Sequence, residues 1–246
     1  MKIKVLVICF ILIGVNTTYS DQKLIWRWLN GKWSIKNSMI IENRGWIAKW
    51  NYYAILDFNA VRTLKAYDSP TEIHFSFKLG HPHKKSEKQP EMLFAFAVRS
   101  PSRSWFYHIY GIHFNGNKKG IKEVQFIHSD RKDTSKRLSY KHNYFYKALA
   151  KKNISLSYYK MHHCKVLIHK KRATLYINKK KVLTTLFPSK NMEGRFAMGS
   201  RNIKSAFDKI IIKQGKKILL KDMFDNNTLK HAYVRAKWIK KKKKKK

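Results

Sequence analysis

The segment Glu72-Ile73-His74-Phe75-Ser76-Phe77-Lys78 alternates polar and apolar residues with a period of two. It sets Ile73, Phe75 and Phe77 on one face of an extended chain and Glu72, His74, Ser76 and Lys78 on the other. Such a segment fits a strand of an antiparallel sheet with one face buried. Short runs rich in β-branched and aromatic residues recur at 33–35, 52–58, 92–98, 105–114, 123–128, 154–159, 165–169, 173–178, 181–186, 195–198 and 207–212, with charged or turn-forming residues between them. The longest stretch with helical character is 144–152. The expectation is an all-β chain in two packed antiparallel sheets, with Ile73, Phe75 and Phe77 buried between them. At 43% hydrophobic and 14% aromatic, the 246 residues suffice for such a core.

The N-terminus stands apart from this pattern. Lys2 and Lys4 precede an apolar run over 5–15, and Thr18 and Ser20 place small residues at the −3 and −1 positions of a cleavage site. Residues 1–20 therefore read as a secretory signal peptide cut after Ser20, which makes the protein secreted or periplasmic. The apolar run is about half the ~20 residues needed to span a bilayer, so no transmembrane segment is expected after cleavage. Cys9 falls within the leader and leaves Cys164 alone in the mature chain, which rules out an intramolecular disulfide there. The sandwich is expected over 21–215. Residues 216–246, ending in Lys240 to Lys246, are either its closing strand or a second module cut short, with a polylysine tail.

Three blocks carry a family likeness: Phe106-Tyr107-His108-Ile109-Tyr110, Gly194-Arg195-Phe196-Ala197-Met198-Gly199-Ser200 and Ala206-Phe207-Asp208-Lys209-Ile210. With Gly31-Lys32-Trp33-Ser34-Ile35, residues 94–99 and the Leu175-Tyr176-Ile177-Asn178 hairpin, they resemble, over about residues 24–213, exported concanavalin A-like lectin/glucanase modules. The fold shared with laminin-G-like and 3-keto-disaccharide hydrolase-type domains is the jelly roll, so the resemblance implies an antiparallel two-sheet jelly-roll sandwich and a glycan ligand. Two departures limit it. The hairpin at Asn178-Lys179 lacks the glycine usual in such turns, which leaves its turn type open. The glucanase branch places its carboxylates as Glu-x-Asp-x-x-Glu on one strand, and this sequence has no such strand; Glu87 and Glu91 fall in a Lys- and Pro-rich segment read as a loop.

Fifty-four Lys and Arg against 14 Asp and Glu give a formal charge of +40, a field that attracts polyanions. Sugar sites stack rings on aromatic side chains and fix hydroxyls with a few polar groups. The candidate ligand-binding residues are Glu72, His74, Arg99, Trp105, Glu123 and Gln125, placed together on one concave sheet surface. No catalytic residue and no metal ligand is assigned. His162-His163-Cys164 offers ligand types, but neighbours on a strand point to opposite faces; His81 and His83 read as solvated loop residues. Asp208 stands where related sandwiches sometimes hold a structural calcium, and one carboxylate does not complete such a site. The reading is an exported, non-catalytic glycan-binding module for acidic polysaccharide or another polyanionic surface. The alternative is a sugar-processing hydrolase of glycoside or 3-keto-disaccharide type, with Glu72 or His74 as acid or base. Nucleic acid is disfavoured, because the sequence contains none of its recognition motifs.

Overall fold

A computed structural model describes residues 26–28, 32–43, 59–82, 89–99, 108–130 and 147–224. Its strands are β1 (Trp26–Trp28), β2 (Trp33–Lys36), β3 (Met39–Glu42), β4 (Asn59–Thr63), β5 (Glu72–Pro82), β6 (Glu91–Arg99), β7 (His108–Asn117), β8 (Gly120–Asp130), β9 (Lys147–Leu156), β10 (Met161–His169), β11 (Arg172–Ile177), β12 (Lys180–Leu186), β13 (Arg195–Arg201), β14 (Ile203–Gln214) and β15 (Lys217–Asp222). Sheet A runs β1-β4-β13-β6-β7-β8-β9. Sheet B runs β12-β11-β10-β5-β14-β3-β2, with β15 also on β14. Every pairing is antiparallel. The protein is a jelly-roll sandwich.

Alternation determines what lies between the sheets. Ile73, Phe75 and Phe77 of β5 are 0–1% exposed, as their spacing requires, and Phe75 stacks on Phe94 of the facing sheet at 4.2 Å between ring centroids. Phe77 meets Phe114 of β7 at 5.0 Å. On β7 the core face is Tyr110, Ile112 and Phe114, which leaves Ile109, Gly111 and His113 facing outward. A second, smaller apolar cluster of Ala60, Leu93, Ala95, Val98, Ile109, Ile127 and Ala197 is also buried. Leu93, Ala95, Ile109, Ile127 and Ala197 lie on the side of sheet A away from sheet B, so part of that outer face is closed to solvent.

Several expectations are corrected. The stretch 144–152 is not a helix where it is described: Lys147–Leu156 forms β9, an edge strand whose pairing with β8 overrides the helix preference of Ala148, Leu149 and Ala150. Residue Glu91 is not in a loop; it opens β6 and is 8% exposed. Strands β1, β3 and β4 lie outside the expected runs, and the expected strand at 52–58 lies outside the described residues, as do the leader and the polylysine tail. The Asn178-Lys179 hairpin adopts positive φ at both residues, 49° and 69°, so it keeps the type I′ form without glycine. Strand β15 pairs with β14, and Asp222 at its end accepts a 2.7 Å hydrogen bond from the indole of Trp26 on β1, which ties sheet B to sheet A.

Candidate functional site

Register on sheet A assembles the first candidate site. Arg201 of β13 pairs with Glu91 of β6, Glu91 with Asn115 of β7, Asn115 with Glu123 of β8, and Glu123 with Asn153 of β9. Paired residues share a face, so these side chains form one polar row across the outer surface. A parallel row holds His113, Gln125 and Lys151. The closed end is an ion-pair cluster in which the guanidinium of Arg201 grips one carboxylate oxygen of Glu91 and His113 Nε2 lies 3.3 Å from the other. His113 is only 1% exposed. At the open end, Asn115 Nδ2 donates to Glu123 Oε1 at 3.0 Å and Gln125 Nε2 donates to the same atom.

Both carboxylates are held as anions. Burial pushes the Glu91 carboxyl up, but the hydrogen bond with His113 and the charges of Arg201 and His113 outweigh it, and its pKa lies below the ordinary value. Glu123 is lowered in the same sense: desolvation raises it, and the bonds from Asn115 and Gln125 with the nearby Lys151 charge prevail. Two strand spacings separate the backbones of Glu91 and Glu123, about 10 Å. That approaches the span of an inverting carboxylate pair, but an acid catalyst needs a raised pKa, and neither residue has one.

The outer face of sheet B carries a different set. Glu72 of β5 contacts His74 Nε2 through Oε1 and meets Lys165 Nζ of β10 at 3.1 Å. Desolvation raises the Glu72 carboxyl, and these two partners overcome it and lower its pKa. Ser76 Oγ lies 2.8 Å from His163 Nδ1.

The six predicted ligand residues therefore do not share one surface. Glu123 and Gln125 stand together on sheet A; Glu72 and His74 stand together on sheet B. Arg99 ends β6 and holds a loop: its Nη2 donates to Asn191 Oδ1 at 2.6 Å and its Nε to the Glu193 carbonyl at 2.9 Å. That loop borders an open depression of about 420 Å³ lined by Asp68, Ser69, Lys190, Asn191, Glu193 and Gln214. Trp105 lies outside the described residues, as does His83. Reasoning from sequence missed Glu91, His113, Asn115 and Arg201, whose only local signal was polar residues interrupting apolar strands. His162 and Cys164 point into the core and His163 outward; burial raises the Cys164 thiol well above its ordinary range. Asp208 pairs with Ser76 on sheet B, and among the described residues no group of three His, Cys, Asp or Glu side chains gathers around a metal position. No helix among the described residues is long and apolar enough to cross a membrane.

No family model and no curated protein sequence matches the chain. Among solved structures, carbohydrate-binding module CBM66 from Bacillus subtilis superposes over 77% of this chain and 95% of its own, with a TM-score of 0.54 and 12% identity. A beta-glucanase from Bacillus licheniformis covers 78% and 93% at a TM-score of 0.47 and 11% identity. A β-1,3-1,4-glucanase from a mouse hindgut metagenome covers 78% and 94% at 0.48 and 9%. The likeness to the module is one of fold.

Proposed function

We propose that this chain is an exported, non-catalytic glycan-binding module of the concanavalin A-like kind, with acidic polysaccharide as its ligand class. The observation that carries the reading is the row Glu91, Asn115, Glu123 with Gln125 beside it. Its hydrogen-bonding groups are oriented by one another before any ligand arrives, as a site that reads sugar hydroxyls needs. Binding is favoured over hydrolysis because partners keep both carboxylates deprotonated, which leaves no proton for a leaving group, while the more exposed Glu123 supplies an acceptor for hydroxyl groups. Trp105, ahead of β7 in the sequence, is proposed as the stacking ring.

A glycan array probed at low and high salt tests this. The reading expects retention of a defined oligosaccharide at both salt concentrations, about tenfold weaker for Gln125→Ala and weaker by ~1–3 kcal/mol for Trp105→Ala, each checked for unchanged thermal unfolding. If no glycan is retained at either salt, the reading fails. Release of reducing ends from a bound polysaccharide would replace it with the hydrolase alternative.

A further inference from the structure

Pairing on sheet B aligns Lys181 of β12, Tyr176 of β11, Lys165 of β10 and His74 of β5 in one row across four strands. Beside it runs Thr184, Thr174, Leu167, Glu72 and, on β14, Lys213. All of these face away from the core, and Arg172 and Lys78 share their side. The Tyr176 ring is half-buried between two lysines, and the Lys165 side chain is 43% exposed. We infer that this face is a second binding surface, which holds the anionic substituents of a polysaccharide on Lys165, Lys181 and Lys213 while Tyr176 supports a sugar ring between them.

The charge layout favours a glycan over nucleic acid. Lys165, Lys181 and Lys213 within the two rows, with Arg172 and Lys78 on the same side, supply five cations, which suits sulfate or carboxylate groups spaced along a chain. Glu72, however, sits among these cations as a fixed anion, held by His74 and Lys165. A phosphate backbone passing over that carboxylate meets repulsion. A sugar chain brings several hydroxyl donors per ring and finds in Glu72, Thr174 and Thr184 the acceptors for them. Among the described residues of these two rows Tyr176 is the one tyrosine, where single-stranded nucleic acid is held by successive aromatic platforms. This inference rests on the glycan-binding reading and assigns the acidic part of the ligand to sheet B, leaving hydroxyl recognition to sheet A.

Dextran and dextran sulfate share a backbone and differ in charge, so the full-length protein is titrated with both, and with single-stranded DNA as a third arm. Lys165→Ala and Lys181→Ala are each expected to weaken dextran sulfate about fivefold and to flatten its salt dependence, and Tyr176→Ala to weaken it about tenfold. Lys118→Ala with Lys119→Ala removes two exposed charges from the β7–β8 turn of the other sheet and is expected to change affinity less than twofold. Thermal unfolding of every variant checks that the fold persists. Equal losses from the Lys118/Lys119 variant and from Lys165→Ala with Lys181→Ala would reduce the effect to diffuse net charge and overturn the inference. DNA binding tighter than dextran sulfate, lost in the same variants, overturns it in favour of a nucleic-acid surface. Oligosaccharide retention on the array that depends on Gln125, with sheet B variants binding dextran sulfate normally, overturns the inference and leaves the proposed function standing. Failure of the wild-type protein to bind any glycan removes both.

Discussion

On the outer face of sheet A the ion pair of Glu91 and Arg201 leaves 10% and 12% of its side chains to solvent; on that of sheet B, Glu72 and Lys165 leave 23% and 43%. The sequence offers the same ingredients in both places: a glutamate near the start of a strand, a histidine and a cation. What differs is the surroundings. On sheet A, Leu93, Ala95, Ile109 and Ile127 form a buried apolar cluster beside the ion pair, whose charges are themselves desolvated and matched to one another. The face of sheet B stays open, and its charges are screened by water: Lys165 stays 43% exposed although it meets Glu72. One face fixes its charged groups against one another, and the other leaves them in solvent.

The largest expected effect separates these two environments. Replacing Glu91 by Leu removes the carboxylate that the poorly solvated Arg201 guanidinium grips and is expected to cost about 3 kcal/mol in urea unfolding. Glu72→Gln, which breaks a pair of similar chemistry in the open, is expected to cost less than about 1 kcal/mol. Equal costs would erase the distinction between the faces. The same contrast extends to acid. The folded-state pKa of Glu91 lies below its ordinary value of 4.5, so its contribution is fully present above that pH and is lost as pH falls through the lowered value. Stability measured from pH 5 downward should therefore decline less steeply in Glu91→Gln, and an unchanged slope would remove Glu91 from the account of acid unfolding.

A smaller effect tests whether the faces belong to one folding unit. The Trp26 indole, 1% exposed, donates to Asp222, and Trp26→Phe leaves that buried carboxylate short of a donor between β1 and β15. About 1–2 kcal/mol is the expected cost, with one cooperative unfolding transition retained and dextran sulfate affinity unaltered. Two separated transitions would instead show that the sheets hold together more weakly than their shared aromatic core implies.

The fold was legible where alternation was strict and the site was not. Ile73, Phe75 and Phe77 announce β5, because one face of that strand is wholly core. Strand β9 conceals itself: as an edge strand it has few cross-strand partners to demand β-branched residues, and its lysines, useful for discouraging edge pairing, sit among helix-forming alanines. For the candidate site, period two shows which residues share a face of a strand but not which sheet the strand joins. Glu72 and Glu123 therefore looked like neighbours, and they stand on opposite sides of the molecule. Glu91 read as a loop residue because a charged residue ahead of the apolar run Met92 to Val98 marks a strand boundary. Only pairing across β13, β6, β7 and β8 brings it to Arg201, Asn115 and Glu123, and those contacts span up to 110 residues of sequence.

The smallest expected effect concerns the hairpin that carries Tyr176 and Lys181. Its turn holds Asn178 and Lys179 in the left-handed region, a conformation asparagine tolerates and lysine does not favour. Glycine at 179 relieves a strain of about 1 kcal/mol, while the added freedom of the unfolded chain takes back roughly half of it, so Lys179→Gly is expected to stabilise by about 0.5 kcal/mol. Lys179 is exposed at the tip of the turn, beyond the row that ends at Lys181, and the substitution removes one charge without touching that row. Affinity for dextran sulfate should then fall less than twofold, with only the salt dependence slightly reduced. A fivefold loss would mean that Lys179 contacts the ligand directly. The strained lysine would then be a cost in stability that serves binding, and the basic face of sheet B would extend to the end of the hairpin.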